Sequence, residues 1–161
     1  MKKSDNSEII LSQWKTCVEM ADSVSKRRDT MNNILVTLNL AIIASVLTKW
    51  DVKSILMLIT GCSISIIWII LIKNYKILNR EKFEVINKIE KQLPMKPFNN
   101  EWKKLKENKS YYDSTKLEVL LPMIFIILYL LSTLIILYNI DFYRRFLYGL
   151  QFIYKSLMGV F

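Results

Sequence analysis

The charges of this chain stop at Asp29 and do not return until Lys49; between them, residues 34–48 read ILVTLNLAIIASVLT. Two further uncharged runs follow, SILMLITGCSISIIWIILI over 54–72 and VLLPMIFIILYLLSTLIILYNI over 119–140. A bilayer core about 30 Å thick needs roughly 20 apolar helical residues. The second and third runs meet this, and the uncharged residues Thr30 to Asn33 extend the first. The pattern predicts spans over about 31–48, 54–73 and 118–140. Buried core helices of a soluble domain are the alternative, but three such runs leave too little other sequence to cover them.

A heptad seam runs through the first span from the residues before it: Ile10, Trp14, Cys17, Ala21, Val24, Arg28, Met31, Leu35, Leu38, Ile42, Ser45. Its steps alternate four and three, the spacing of a coiled-coil seam. No Gly or Pro interrupts residues 7–53, so one long helix is expected to enter the membrane near Arg28. Trp14, Val24, Met31, Leu35 and Leu38 are the candidate contacts between copies. The second span also continues: Tyr75, Leu78, Ile86, Ile89 and Leu93 share a helical face, with Phe83 at its edge, and Pro94 is expected to stop the helix.

Residues 94–116 are the irregular stretch, in which Asn99 or Asn100 is expected to cap a short helix through Leu105. Residues 141–161 set Phe142, Phe146, Leu150, Ile153, Leu157 and Phe161 against Arg144, Arg145, Gln151 and Lys155, the pattern of a helix lying on a membrane surface. The fold class expected is all-α: an integral membrane protein with three transmembrane helices and long helices extending into the cytoplasm. Five segments follow: an amphipathic helix over 1–30, a transmembrane hairpin over 31–73, a basic helix and loop over 74–116, a third span over 117–140, and an outer-face tail over 141–161.

Lys and Arg set the orientation. Residues 73–116 carry twelve of them, and Lys2, Lys3, Lys15, Lys26, Arg27 and Arg28 precede the first span, against Lys49 and Lys53 in the first turn. The N-terminus and 73–116 are therefore expected in the cytoplasm, with the Trp50 turn and C-terminus outside. No apolar signal region precedes Ile34, so the first span is read as retained.

Composition narrows the chemistry. With no histidine among 161 residues there is no Ser-His-Asp triad, Cys-His pair or histidine-bearing metal site. Three glycines cannot build a phosphate loop, and two cysteines make neither a zinc site nor a disulfide framework. The expectation is a non-enzyme with no cofactor, no metal and no specific DNA binding.

Polar residues inside the spans are the first candidates for function. Asn32 and Asn39 are one heptad apart, Asn33 and Thr37 share another face, and Ser45 continues the first row. Such groups either hydrogen-bond between helices or line a pore. Gly61 and Ser65 form a small-x3-small pair suited to close packing. Arg28, Lys73 and Glu118 fall at one predicted depth: Glu118 needs a partner there, while Arg28 can also snorkel to lipid phosphate. Residues 73–116 hold twelve bases against six acids. Lys103, Lys104 and Lys106 near Trp102, Tyr111 and Tyr112 combine charge with stacking surface, for anionic lipid heads or a nucleotide-type ligand.

The strings SKRRDTMNNILVTLNLAII (25–43), WIILIKNYKILNREKFEVINKIEKQLPMKPFNNEWKKL (68–105) and YYDSTKLEVLLPMIFIILYLL (111–131) resemble the RipA family of small octameric bacterial membrane proteins. The resemblance spans about residues 14–131 and implies a cytoplasmic-membrane protein assembled as a homo-oligomeric ring, without implying a settled activity. A cytoplasmic helix feeding a two-span hairpin also looks like SLATT-type effectors of bacterial defence systems. Two functions follow as expectations: a pore- or channel-like effector that answers a stress or antiphage-defence signal or sensor protein through its basic ring, or a non-conducting scaffold for lipids or partner proteins.

Overall fold

The computed structural model describes the backbone of residues 2–48, 53–108 and 114–158, and the side chains of 6–48, 53–108, 114–141, 144 and 147–151. Four helices account for nearly all of it: α1 (Lys2–Thr48), α2 (Ser54–Glu90), α3 (Pro97–Glu107) and α4 (Ser114–Met158). No strand occurs among the described residues. Three helices are long and apolar enough to cross a membrane, as the uncharged runs predict. At 1.5 Å per residue α1 is about 70 Å long, so more than half of it lies beyond a bilayer's apolar core.

α1 and α2 form an antiparallel hairpin, with Asn32 opposite Trp68 and Asn39 opposite Ser65. α4 lies against both, antiparallel to α2 and parallel to α1, since Gly61 meets Tyr129 while Arg28 meets Glu118. α2 is the central element. Its Leu58, Trp68 and Ile72 are buried with Val46 of α1 and Phe125, Tyr129 and Ile136 of α4. Gly61 is a fitted notch: a Cβ there would stand 2.5 Å from the Tyr129 ring carbon Cζ. Gly61 thus provides close packing against α4, while Ser65 is buried and meets Asn39 of α1.

The seam of α1 departs from the heptad reading. Val24 is 1% exposed, and Met31 and Leu35 pack on the core inside the protomer, so these three are covered within one protomer and are not left free for a second copy. Leu38 is 41% exposed and Ser45 is exposed, while Asn39 and Val46 are buried in their place. The reason is helical drift. A straight helix turns about 20° per heptad away from a 3.5-residue seam, so over five heptads the contact line moves on by one residue. In α2 the buried face is offset from the one read in the sequence: Leu78 is exposed, while Ile86 and Glu90 are buried on the line of Trp68 and Ile72.

Three boundaries also differ. α2 ends at Glu90, before Pro94, with Lys91 at its C-cap. α3 begins at Pro97 with Lys96 at its N-cap, and no N-cap side chain bonds the helix; neither Asn99 nor Asn100 occupies that position. α4 runs unbroken past Ile140 to Met158, so the described part of the tail continues the third span's helix and is not a separate element. No Gly or Pro stands between Met123 and Tyr148 to break it.

Candidate functional site

Two polar networks tie the apolar segments together. The first lies where the apolar runs meet the charged ends. Arg28 donates Nε to Glu118 Oε2 at 2.8 Å, and its Nη2 lies 2.7 Å from the same oxygen. Nη2 also reaches Thr115 Oγ1 at 3.3 Å. Asn32 Nδ2 donates to that carboxylate at 3.2 Å, and Asn32 Oδ1 accepts from Trp68 Nε1 at 2.8 Å. The Arg28 and Glu118 side chains are 14% and 25% exposed, so the pair is largely shielded from solvent. Of the two cations expected near Glu118, Arg28 is its partner, and Lys73 points to the exposed side of α2.

The second network is about 16 Å further along α1, near mid-bilayer depth. Asn39 is fully buried. Its Oδ1 accepts from Ser65 Oγ at 2.9 Å and from Tyr129 Oη at 2.7 Å, and its Nδ2 donates to the Leu35 carbonyl at 2.7 Å. One amide thus joins α1, α2 and α4. The pore reading of Asn32 and Asn39 is therefore corrected: both are turned into the protomer and hydrogen-bonded between helices. Lipid offers no competing partner for an amide, which makes that arrangement the stable one. Tyr129 was not anticipated. Only its place in a run otherwise aliphatic from Ile126 to Leu131 marks it.

The other polar candidates lie on the opposite side. Thr30, Asn33, Thr37, Ala41, Ala44 and Thr48 form an exposed stripe along the back of α1, with Ser45 beside it. Thr30, Thr37 and Ser45 each donate a hydroxyl to the carbonyl four residues earlier, at 2.8–3.0 Å. Ile34, Leu38, Leu40 and Leu47 flank this stripe, whereas the exposed side of α4 is large and apolar without such a stripe: Leu120, Ile124, Ile127, Leu131, Leu134 and Tyr138. That of α2 is mostly isoleucine and leucine, interrupted by Thr60 and Ser63.

The basic segment carries the third candidate. Lys103, Lys104, Lys106 and Trp102 are exposed on α3, and Lys106 Nζ stands 5.6 Å from the centre of the Trp102 ring. Tyr111 and Tyr112 lie outside the described residues. What holds α3 was missed in the sequence. Glu90 is fully buried, and its carboxylate accepts from the backbone N–H of Phe98 at 3.1 Å and of Asn99 at 3.2 Å. An anion at a helix start satisfies free N–H groups and suits the helix dipole. Phe98 then packs edge-on to Phe83 and tilted against Trp14, joining α1, α2 and α3 at the end remote from the first turn.

Neither the curated proteins nor the solved structures compared with this chain gave a match. A protein-family model does: the octameric membrane protein family matches residues 11–138, which take in most of α1, all of α2 and α3, both polar networks and nearly all of the third span. The three spans and this match agree, and the chain belongs to the octameric membrane protein family (8xMP).

Proposed function

We propose that the protein forms a ring in the bacterial inner membrane in which the back of α1 lines a central, water-accessible path. The observation that supports this is the contrast between outer faces. A helix side against lipid is best made of large apolar groups, as that of α4 is. The stripe Thr30, Asn33, Thr37, Ala41, Ala44 and Thr48 is small and polar, so α1 is turned from lipid toward the other copies and the ring axis. The excess of Lys and Arg in 73–116 sets that segment and the N-terminus in the cytoplasm, where it forms a basic mouth. An anionic signal, of nucleotide type or borne by a sensor protein, acts there to open or close the path in a stress or antiphage-defence response. The chain performs no catalysis of its own.

Reconstituted liposomes test this. Wild-type protein releases a trapped small anion, and Thr37→Leu lowers the release by raising a dewetting barrier while the complex still assembles. Wild-type liposomes that stay tight with and without anionic nucleotides contradict it. One observation favours the scaffold reading instead: the hydroxyls of the stripe are satisfied within their own helix, so this face can also pack dry between copies. Thr37→Leu then breaks the assembly and alters no conductance.

A further inference from the structure

α1 and α2 leave a groove on the side away from α4, with a volume of about 400 Å³, lined by Arg27, Thr30, Met31, Ile34, Leu35, Leu71 and Tyr75. Its two ends differ. Arg27 and Tyr75 stand where the apolar runs of both helices give way to charge, beside Arg28 and Lys73. Met31, Ile34, Leu35 and Leu71 continue from there into the apolar spans. The groove is therefore cationic at headgroup depth and apolar at acyl-chain depth.

Arg27 and Arg28 are adjacent yet serve opposite ends. The Arg28 guanidinium is spent on Glu118. Arg27 points away from it, is exposed, and makes one bond, Nε to the Ser23 carbonyl at 3.4 Å. Among the described residues no carboxylate forms an ion pair with it. A guanidinium presents a planar fork that matches phosphate oxygens and holds them bidentately, and a tyrosine suits the same interfacial level.

We propose that this groove is a binding site for one anionic phospholipid per protomer. The lipid phosphate sits on the Arg27 guanidinium, and one acyl chain lies along Met31, Ile34, Leu35 and Leu71. The proposal rests on the membrane setting and stands whether or not the ring conducts.

The test uses the full-length, detergent-purified complex, stripped of lipid and titrated with dioleoyl phosphatidylglycerol or dioleoyl phosphatidylcholine, with bound lipid read by native mass spectrometry. Wild type retains the anionic lipid at about tenfold lower concentration than the zwitterionic one, as a charge-assisted contact requires. Arg27→Gln removes that preference. Ile34→Trp fills the apolar part, keeps Arg27, and lowers retention of both lipids. Lys26→Gln, whose lysine is exposed and paired with Asp22, changes neither. Inorganic phosphate gives no thermal stabilisation, because it lacks the chain that the groove holds. Equal retention of both lipids by wild type, or a preference that survives Arg27→Gln, overturns the proposal. So does a wild-type complex that excludes lipid but disassembles on Arg27→Gln, since a neighbouring copy then fills the groove.

Discussion

Asn39 shows how a single amide can organise three helices. Its carbonyl oxygen takes two hydroxyls from different helices, and its NH2 satisfies a carbonyl of its own turn. Interhelical hydrogen bonds in membranes average about 0.6 kcal/mol and reach about 1.7. Asn39→Leu removes two, so it is expected to cost about 1–3 kcal/mol in a detergent unfolding titration. Adding Ser65→Ala and Tyr129→Phe should restore part of the loss, because the stranded hydroxyls are then gone. The Arg28–Glu118 pair calls for a double-mutant cycle. Arg28→Met or Glu118→Leu alone strands a shielded charge and is expected to cost about 1–3 kcal/mol. The double variant should be more stable than either single one, as judged by thermal unfolding. That Glu118 needs a cation at its depth was legible in the sequence; which of Arg28 and Lys73 supplies it was not, because both fall at that level. Asn39 was only half legible: extending the seam by apolarity selects Leu38, and helical drift selects its neighbour.

At the scale of elements, Glu90 decides where α3 sits. Sequence reasoning sees it as one acid in a basic segment, although it lies four residues after Ile86 on the buried face of α2. A carboxylate on an apolar face signals a local donor, and here the donors are the first free N–H groups of the next helix. Those bonds also explain why α2 ends ahead of Pro94: the chain must turn back within 91–96 to bring Phe98 under Glu90. Glu90→Ala is expected to release α3, speed proteolysis within 91–96 by about tenfold or more, and leave the three spans intact. Limited proteolysis with intact-mass detection checks this; unchanged cleavage would mean that the Phe98 contacts alone hold the helix. Glu90→Gln keeps one acceptor oxygen and should fall between the two.

For the whole molecule, long uncharged runs made three spans and an all-α fold plain from the sequence. Which face of each span looks inward was less so, because a helix apolar on nearly every side has no contrasting face to read. The contrast is strongest in α1, and there two polar rows compete. One, the half-buried Asn32 and the buried Asn39, is turned into the protomer; the other, Asn33, Thr37 and their neighbours, is exposed. Both are heptad-like, and only packing against α2 and α4 tells them apart. The functional proposal depends on where the exposed row looks.

Thiol accessibility measures that directly. In a Cys17→Ser, Cys62→Ser background, single cysteines are placed at Thr37 on the stripe, at Leu131 on the outer face of α4, and at Asn39 in the core, and assembled protein in membranes is treated with a charged, membrane-impermeant thiol reagent. The reagent reacts only with thiolate in water. The account predicts rapid labelling of Thr37→Cys and none at Leu131→Cys or Asn39→Cys. Protection of Thr37→Cys in an assembled ring, equal to that of Leu131→Cys, would contradict a water-accessible path along α1.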